Sequence, residues 1–458
     1  MTTIRDDRLG SSLRSLIGVI LLGGALGILN STMVAVGIRD LAEDFEASLG
    51  TVGWVSTGFL LAVTVTIPVT GWAGEAFGGK RMWLAGLGVF LAGSLGCGLA
   101  WDIESLIAFR VLQGIGAGIL DPLVLTLLAR AAGPRRAGRV MGLMAAVLSL
   151  GPVLGPVLGG VVLQGLGWRW MFLLCVPLGA LAVLLAVRVM PADPPVERRT
   201  RLDVLGVALL GPGFAGLLLV LSQASDGADF GSSPVLVPLV AGAALLIGYV
   251  IHAVRDEAPL VDIRLFARGG FAASVTVMAL TGLAMFASLI VLPLYFQQVK
   301  GHGALAAGLL VAPLGVGAAV AAPLAGRLSD RIGSRNLALA GGLVATLSAV
   351  FFTRVGTGTG DVAIALAGLA LGAGLGFVGP PAMGAVYRTL PGPLVPQGSS
   401  VLYMLNQLGG SIGVAVVALL LGTATGPVAG LHGVYWFVAG TLLVLLAAAT
   451  RLPGRGDR

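Results

Sequence analysis

Two residues of opposite charge stand inside one long apolar run, Arg110 and Asp121 in IAFRVLQGIGAGILDPLVLTL (107–127). A carboxylate held at membrane depth costs roughly 2.5–3.5 kcal/mol, so its presence there is a reason to expect function. On a helix their separation amounts to about 20° beyond three full turns, so they share one face about 16 Å apart and cannot pair directly. A water-filled cavity on that face would contain both. Burial disfavours a charged carboxylate, so Asp121 could take up and release a proton as such a cavity alternated between sides. Each charge moved is worth about 2.3 kcal/mol per 100 mV. Asp121 also precedes Pro122, and Asp–Pro is a helix-start pair in which Asp caps free N–H groups and Pro takes the first helical position. A kink-repairing cap therefore stands beside a proton-coupling or cation-binding role. Arg110 has five fixed donors and could equally clamp carbonyls of a neighbouring helix or serve proton movement.

The elements that must position these groups are duplicated. GIGAGILDP (114–122) recurs 258 residues later as GAGLGFVGP (372–380), with Gly379 where the first copy has Asp121. A second pair, GWAGEAFGGKR (71–81) and GRLSDRIGSR (326–335), shares Gly, an acid four residues on and Gly three further: Gly71, Glu75, Gly78 and Gly326, Asp330, Gly333. Its offset of 255 nearly equals the first. Glu75 and Asp330 are expected to pair with nearby arginines or helix N-termini, as gates rather than ligands.

The 458 residues are 57% hydrophobic and 11% charged, well below the charge of a soluble domain. The class is an all-α polytopic membrane protein. Runs of about 20 apolar residues number fourteen, near 15–37, 51–71, 82–100, 104–129, 138–162, 168–189, 203–222, 232–254, 271–296, 304–327, 335–354, 361–387, 398–421 and 430–450. The first is too long for a signal peptide and is read as a retained span. With both termini inside, 23 of the 28 Lys and Arg residues fall on the inner side and four on the outer, which orients the chain. The net charge of +7 is therefore topological, and no nucleic-acid partner is expected. Cys97 and Cys175 lie within apolar runs, and no disulfide, metal or cofactor motif is present. Arg outnumbers Lys by 26 to 2, a composition of GC-rich bacterial genomes. The two repeats make spans 1–6 and 9–14 equivalent, starting on the same side, with spans 7 and 8 inserted. The expected parts are residues 1–189, 190–254 and 255–458.

On these residues the chain resembles the major facilitator superfamily. The paired inner loops resemble its signature between helices 2 and 3, and RVLQGIGAG (110–118) its helix 4 motif with a buried arginine. GPVLGPVLGG (151–160) is similar to the antiporter motif, and WRWMFLLCVPLG (168–179) and GILNSTMVAVGI (27–38) are similar to motifs of the fourteen-helix drug/proton antiporter family. That family usually has an acid where this chain has Asn30; a later polar position is Ala35, and Cys175 replaces a frequent asparagine. The resemblance implies the major facilitator fold, with two parallel six-helix halves plus two inserted helices.

Gly151, Gly155 and Gly159 recur every fourth residue, a spacing that lets another helix approach closely, with Pro152 and Pro156 adding bends. The resemblance makes the same stretch a proton-tight hinge between halves. A substrate cavity would be lined by Asn30, Thr32, Tyr295, Gln297, Gln298, Tyr403, Asn406 and Gln407, with aromatics able to hold a lipophilic cation. Tyr295, Gln297 and Gln298 also suit an interfacial belt. His252, His302 and His432 fall at span ends or in loops, which argues against a histidine relay, and Asp203 suits a helix-start cap. A channel would need continuous polar rings and an enzyme a catalytic cluster; neither is legible. The expectation is a proton-coupled secondary transporter, monomeric, in the cytoplasmic membrane of a bacterium, exporting amphiphilic or cationic drugs by alternating access. The alternative is a dedicated exporter of one metabolite or self-made antibiotic, or an exchanger not driven by protons.

Overall fold

The computed structural model describes residues 11–34, 36–47, 49–133, 137–193, 201–225, 231–256, 259–391 and 394–454. In order the helices are α1 Ser11–Val34, α2 Ile38–Asp44, α3 Leu49–Phe77, α4 Gly79–Gly98, α5 Ile103–Ala132, α6 Ala137–Leu166, α7 Arg169–Leu173 and α8 Cys175–Val189. They continue as α9 Val204–Ser225, α10 Ser233–Arg255, α11 Gly269–Gln298, α12 Ala304–Ile332, α13 Ser334–Phe352, α14 Asp361–Thr389, α15 Val395–Thr423 and α16 Pro427–Ala449. A 3-10 turn, Ile263–Ala267, leads into α11. Among the described residues there is no strand. A bilayer demands this, because each backbone polar group must find its partner within its own helix.

Among the described residues, twelve helices are long and apolar enough to cross a membrane, which makes this a multi-pass membrane protein. The expected count of fourteen is met at twelve. The other two apolar runs carry α6 and α9, in which the qualifying stretches are the shorter Val157–Leu166 and Val204–Val220. Two local features depart from the sequence reading. The loop after α1 contains the short helix α2, and the run 168–189 is broken at Leu174 into α7 and α8. Of the basic residues that orient the chain, Arg5, Arg8, Arg135, Arg136, Arg198, Arg199, Arg455 and Arg458 lie outside the described residues, as does Ala35.

The glycines of the opening repeat explain how the helices nest. Gly114 and Gly118 lie against the backbone of α3 at Phe59 and Val63, and Gly116 lies against α4 at Gly86 and Phe90. In the second copy Gly372 and Gly376 lie against α12 at Leu314 and Ala318, and Gly374 against α13 at Gly341 and Ala345. Alternate glycines thus face two different neighbours, and any Cβ would strike backbone. Without a hydrophobic force between helices in lipid, close backbone approach of this kind carries the packing.

Helices α9 and α10 pack on each other where Gly213 and Gly216 meet Leu246 and Gly242. Helix α9 contacts both α3 and α15, so the pair lies across one side of the seam between the two groups of helices. Large apolar side chains such as Val161, Val237, Val320 and Val362 are exposed on the outer surface, as lipid contact requires.

Candidate functional site

Helix α5 carries both charges of interest, and its ends are firmly defined. Asp102 caps its start, with Oδ1 accepting from Ser105 N at 2.7 Å, and Gly133 closes it at a φ of 66°. The helix is continuous through Pro122. A proline lacks an N–H, so the carbonyl four residues back loses its helical donor. Here that carbonyl is Gly118 O, and it accepts from Thr70 Oγ1 of α3 at 2.9 Å. A neighbouring hydroxyl repairs the backbone. Asp121 is accordingly no helix-start cap: its Oδ2 accepts from Tyr403 Oη of α15 at 2.7 Å.

Arg110 is 1% exposed, and its Nε and Nη1 make three hydrogen bonds to its neighbours. Its Nε donates to Val55 O of α3 at 2.9 Å, and its Nη1 donates to Asn30 Oδ1 at 2.7 Å and Gln113 Oε1 at 2.6 Å. The guanidinium lies 4.2 Å from the centre of the Phe59 ring. Asn30 in turn donates to Met171 O at 3.0 Å, and Gln113 Nε2 donates to Ser94 Oγ at 2.6 Å. A buried charge is tolerable only when its donors are satisfied, and this network ties α1, α3, α4, α5 and α7 together. Asn30 is therefore a clamp on Arg110 and not a cavity residue: it is 0% exposed. Ser94 and Gln113 went unread in the sequence, although Gln113 stands one helical turn from Arg110.

A cavity of about 270 Å³ lies between the two groups of helices. It is lined by α1, α3, α5 and α6 from one group and by α11, α12, α14 and α15 from the other. Thr32, Tyr403, Asn406 and Gln407 line it, and so does Asp121. Among the lining residues Asp121 is the only acid, and none is basic. The rest of the wall includes Phe59, Phe286, Met278, Met285 and Met383, which do not stand out in so apolar a chain. Methionine and aromatic walls adapt to ligands of varied shape. Gly379, the counterpart of Asp121, also lines the cavity and has open space where a side chain would go. Asn406 Nδ2 donates to Met278 O at 2.8 Å, and Thr32 Oγ1 donates to Gly151 O at 3.2 Å, so both are held in place.

Tyr295 is not in this cavity. It is buried, and its hydroxyl donates to Gly356 O at 2.8 Å in the loop before α14. Gln297 and Gln298 are exposed at the end of α11. Gly151, Gly155 and Gly159 lie against Ile28, Thr32 and Met33, so the helix that approaches them is α1, within the first group. Pro152 and Pro156 fall on the same helix, α6. Helix α6 also packs on α12 and α14 of the second group, with Gly142 lying against Ala322 and Pro323 of α12.

The paired loops have matching backbones. Gly78 and Gly333 have φ of 96° and 91°, the left-handed region in which a side chain is strained. Each forms the sharp corner between two helices. At the first corner Asp193 caps α4, accepting from Lys80 N at 2.8 Å and Arg81 N at 3.0 Å. At the second, Ser334 Oγ donates to Pro381 O at 2.8 Å and also accepts from Arg388. Glu75 is within electrostatic reach of Arg130. Gly71 lies against Pro396 and Ser400 at the start of α15, and Gly326 is a buried residue of α12. The Asp330 side chain lies outside the described residues. Three contacts between the groups, Gly71 with Pro396, Gly142 with Ala322 and Asp121 with Tyr403, thus lie toward the end of the bundle that bears these loops.

Asp203 accepts from Gly206 N at 2.7 Å, Leu260 N at 3.0 Å and His252 Nε2 at 2.8 Å. The first of these is the helix-start cap of α9. Burial pushes this carboxyl up, but the three donors outweigh it and hold it below its ordinary range. His302 meets Asp361 Oδ2 at 2.7 Å and His432 meets Val355 O at 2.7 Å, away from the cavity wall.

The chain matches the Major Facilitator Superfamily over residues 20–414. It is 38% identical over 418 residues to the Multidrug resistance protein B homolog of Mycobacterium tuberculosis, covering 91% of this chain and 77% of that one. It is 30% identical over 396 residues to the Multidrug export protein EmrB of Haemophilus influenzae, covering 86% and 77%. The human organic anion transporter MFSD10 superposes with a TM-score of 0.67 at 17% identity, covering 96% of this chain and all of the other, which shows a shared fold. These relatives are transporters rather than enzymes, and the two multidrug proteins are bacterial. The chain belongs to the Major Facilitator Superfamily.

Proposed function

We propose that this protein is a proton-coupled exporter of amphiphilic or cationic compounds that works by alternating access. The observation that carries the reading is Asp121, a single carboxylate lining an otherwise uncharged cavity between two groups of helices. An ionised carboxylate there attracts a proton or a lipophilic cation, and the low dielectric strengthens either attraction. One site that binds two cations alternately exchanges them. The names of the bacterial relatives, multidrug resistance and multidrug export proteins, support drugs as the exported class.

In this reading fourteen helices span the membrane, α6 and α9 among them, and residues 1–189 and 255–458 form parallel halves around the inserted pair of residues 190–254. Both termini face the cytoplasm, which places the paired loops inside and makes this conformation closed toward the cytoplasm. The protein acts as a monomer, without metal or cofactor. Purified protein in liposomes with an imposed pH gradient tests the reading. Gradient-dependent movement of lipophilic cations is expected. Movement of no cation or neutral amphiphile in response to the gradient would favour the second reading, a dedicated exporter or an exchanger not driven by protons, which Asn30 in place of an acid supports.

A further inference from the structure

We propose that the Tyr403 hydroxyl is a latch that makes exchange obligatory, by holding the two halves together whenever Asp121 carries neither a proton nor a cation. The inference rests on the exchange reading above and assigns a new role to a residue of the same cavity.

A carrier that exchanges must not turn over empty. Otherwise it dissipates the gradient that drives it. The structure has a contact suited to prevent this. Tyr403 stands on α15 and Asp121 on α5, one in each group of helices, and the hydroxyl donates to the carboxylate at 2.7 Å. Both residues line the cavity, so a ligand that reaches Asp121 meets this bond first. The same end of the bundle is closed by the backbone contacts at Gly71 and Gly142.

The bond responds to occupancy for a simple reason. A hydrogen bond to an ionised acceptor is roughly twice as strong as one to a neutral group. Proton uptake by Asp121 removes that charge, and a bound cation competes for it. Either event weakens the same link between the halves, whereas an empty ionised Asp121 keeps it at full strength. Among the described residues that line the cavity from α1, α3, α6, α11, α12 and α14, none is titratable or charged. Glu75 and Arg130 lie beyond it at the loop end of the bundle. The occupancy of one carboxylate therefore sets the latch.

Tyr403→Phe keeps the ring and removes only the donor. The halves can be watched directly by spin labels at Arg81→Cys and Arg327→Cys, two exposed positions on the paired loops, since Cys97 and Cys175 are both buried. In the otherwise unaltered protein, lowering the pH or adding tetraphenylphosphonium is expected to move label pairs from the short distance to a longer one. Tyr403→Phe is expected to shift the ratio of long to short roughly tenfold toward long at alkaline pH without cation, and to flatten its pH profile. In liposomes the same variant should leak cation without a pH gradient.

A Tyr403→Phe distance distribution that superimposes on that of the parent at every pH overturns the latch. So does a parent whose distances ignore both pH and cation. Neither result bears on gradient-driven transport in liposomes, which judges the exchange reading separately.

Discussion

Arg110 and Asn30 are joined by a 2.7 Å hydrogen bond from Nη1 to Oδ1, with the guanidinium otherwise satisfied by Val55 O and Gln113. The buried cation is thus held by neutral acceptors in place of a carboxylate. Arg110→Lys loses the planar fork that reaches several acceptors at once. A loss of about 3 kcal/mol is expected, the scale of a buried charge with partners left unmet, and thermal unfolding of the purified protein measures it. Asn30→Asp places a carboxylate on the guanidinium with no change in volume, and this ion pair offsets the loss of the Nδ2 donor to Met171 O. Thermal unfolding close to that of the parent is expected for it.

The glycines that nest helices and the glycine at 379 are expected to respond differently to substitution. Gly116→Ala and Gly374→Ala each push a methyl into a neighbouring backbone, and both should lower the amount of folded protein in the membrane. Gly379→Ala meets open space and should leave it unchanged. Fluorescence size-exclusion profiles of the three variants distinguish these outcomes.

Gly379 also offers a gain of function. Gly379→Asp would put a second carboxylate on the cavity wall, in the half that lacks one. Like charges in a low dielectric repel, and a dication relieves them best. Uptake of a lipophilic dication by inverted vesicles should therefore rise relative to a monocation of similar size. An unchanged ratio would show that the second position does not face the substrate.

Asp203 makes the junction of α9 with the chain before α11 sensitive to pH. Its carboxyl is depressed in the folded state, so the stabilisation it provides is present above the unfolded carboxylate pKa and fades as pH falls through the lower folded value. Asp203→Asn should remove that stabilisation at neutral pH and leave a flatter dependence of unfolding temperature on pH across the acid range. Asp193→Ala, which deprives α4 of its cap, should cost about 1 kcal/mol.

Much of this was legible in the sequence, and the rest has definite causes. Arg110, Asp121 and the alternate glycines stood out because charges and repeats are conspicuous in an apolar chain. Gly78 and Gly333 stood out by their shared spacing after an acid, but the left-handed corners they form between helices were visible only in the backbone. Asn30 was read as cavity lining because the spacing of polar residues along one helix cannot tell a face toward a cavity from a face toward Arg110. Tyr295 and Tyr403 look alike in sequence, yet one reaches a loop carbonyl and the other a carboxylate 282 residues away. Distance in space sets that difference. The methionines and phenylalanines of the cavity carry no signal at all, since their neighbours are equally apolar. The Asp–Pro pair was ambiguous until Thr70 was found on the carbonyl that Pro122 frees, which leaves Asp121 available for Tyr403.

The central claim is that Asp121 exchanges a proton for a substrate cation. Its most direct test is proton release, followed by a pH dye, when tetraphenylphosphonium is added to detergent-solubilised protein. The parent is expected to release about one proton per cation bound in the range where Asp121 is protonated, and Asp121→Asn none at all. Equal proton release from Asp121→Asn, or cation binding by the parent with no release at any pH, would contradict it.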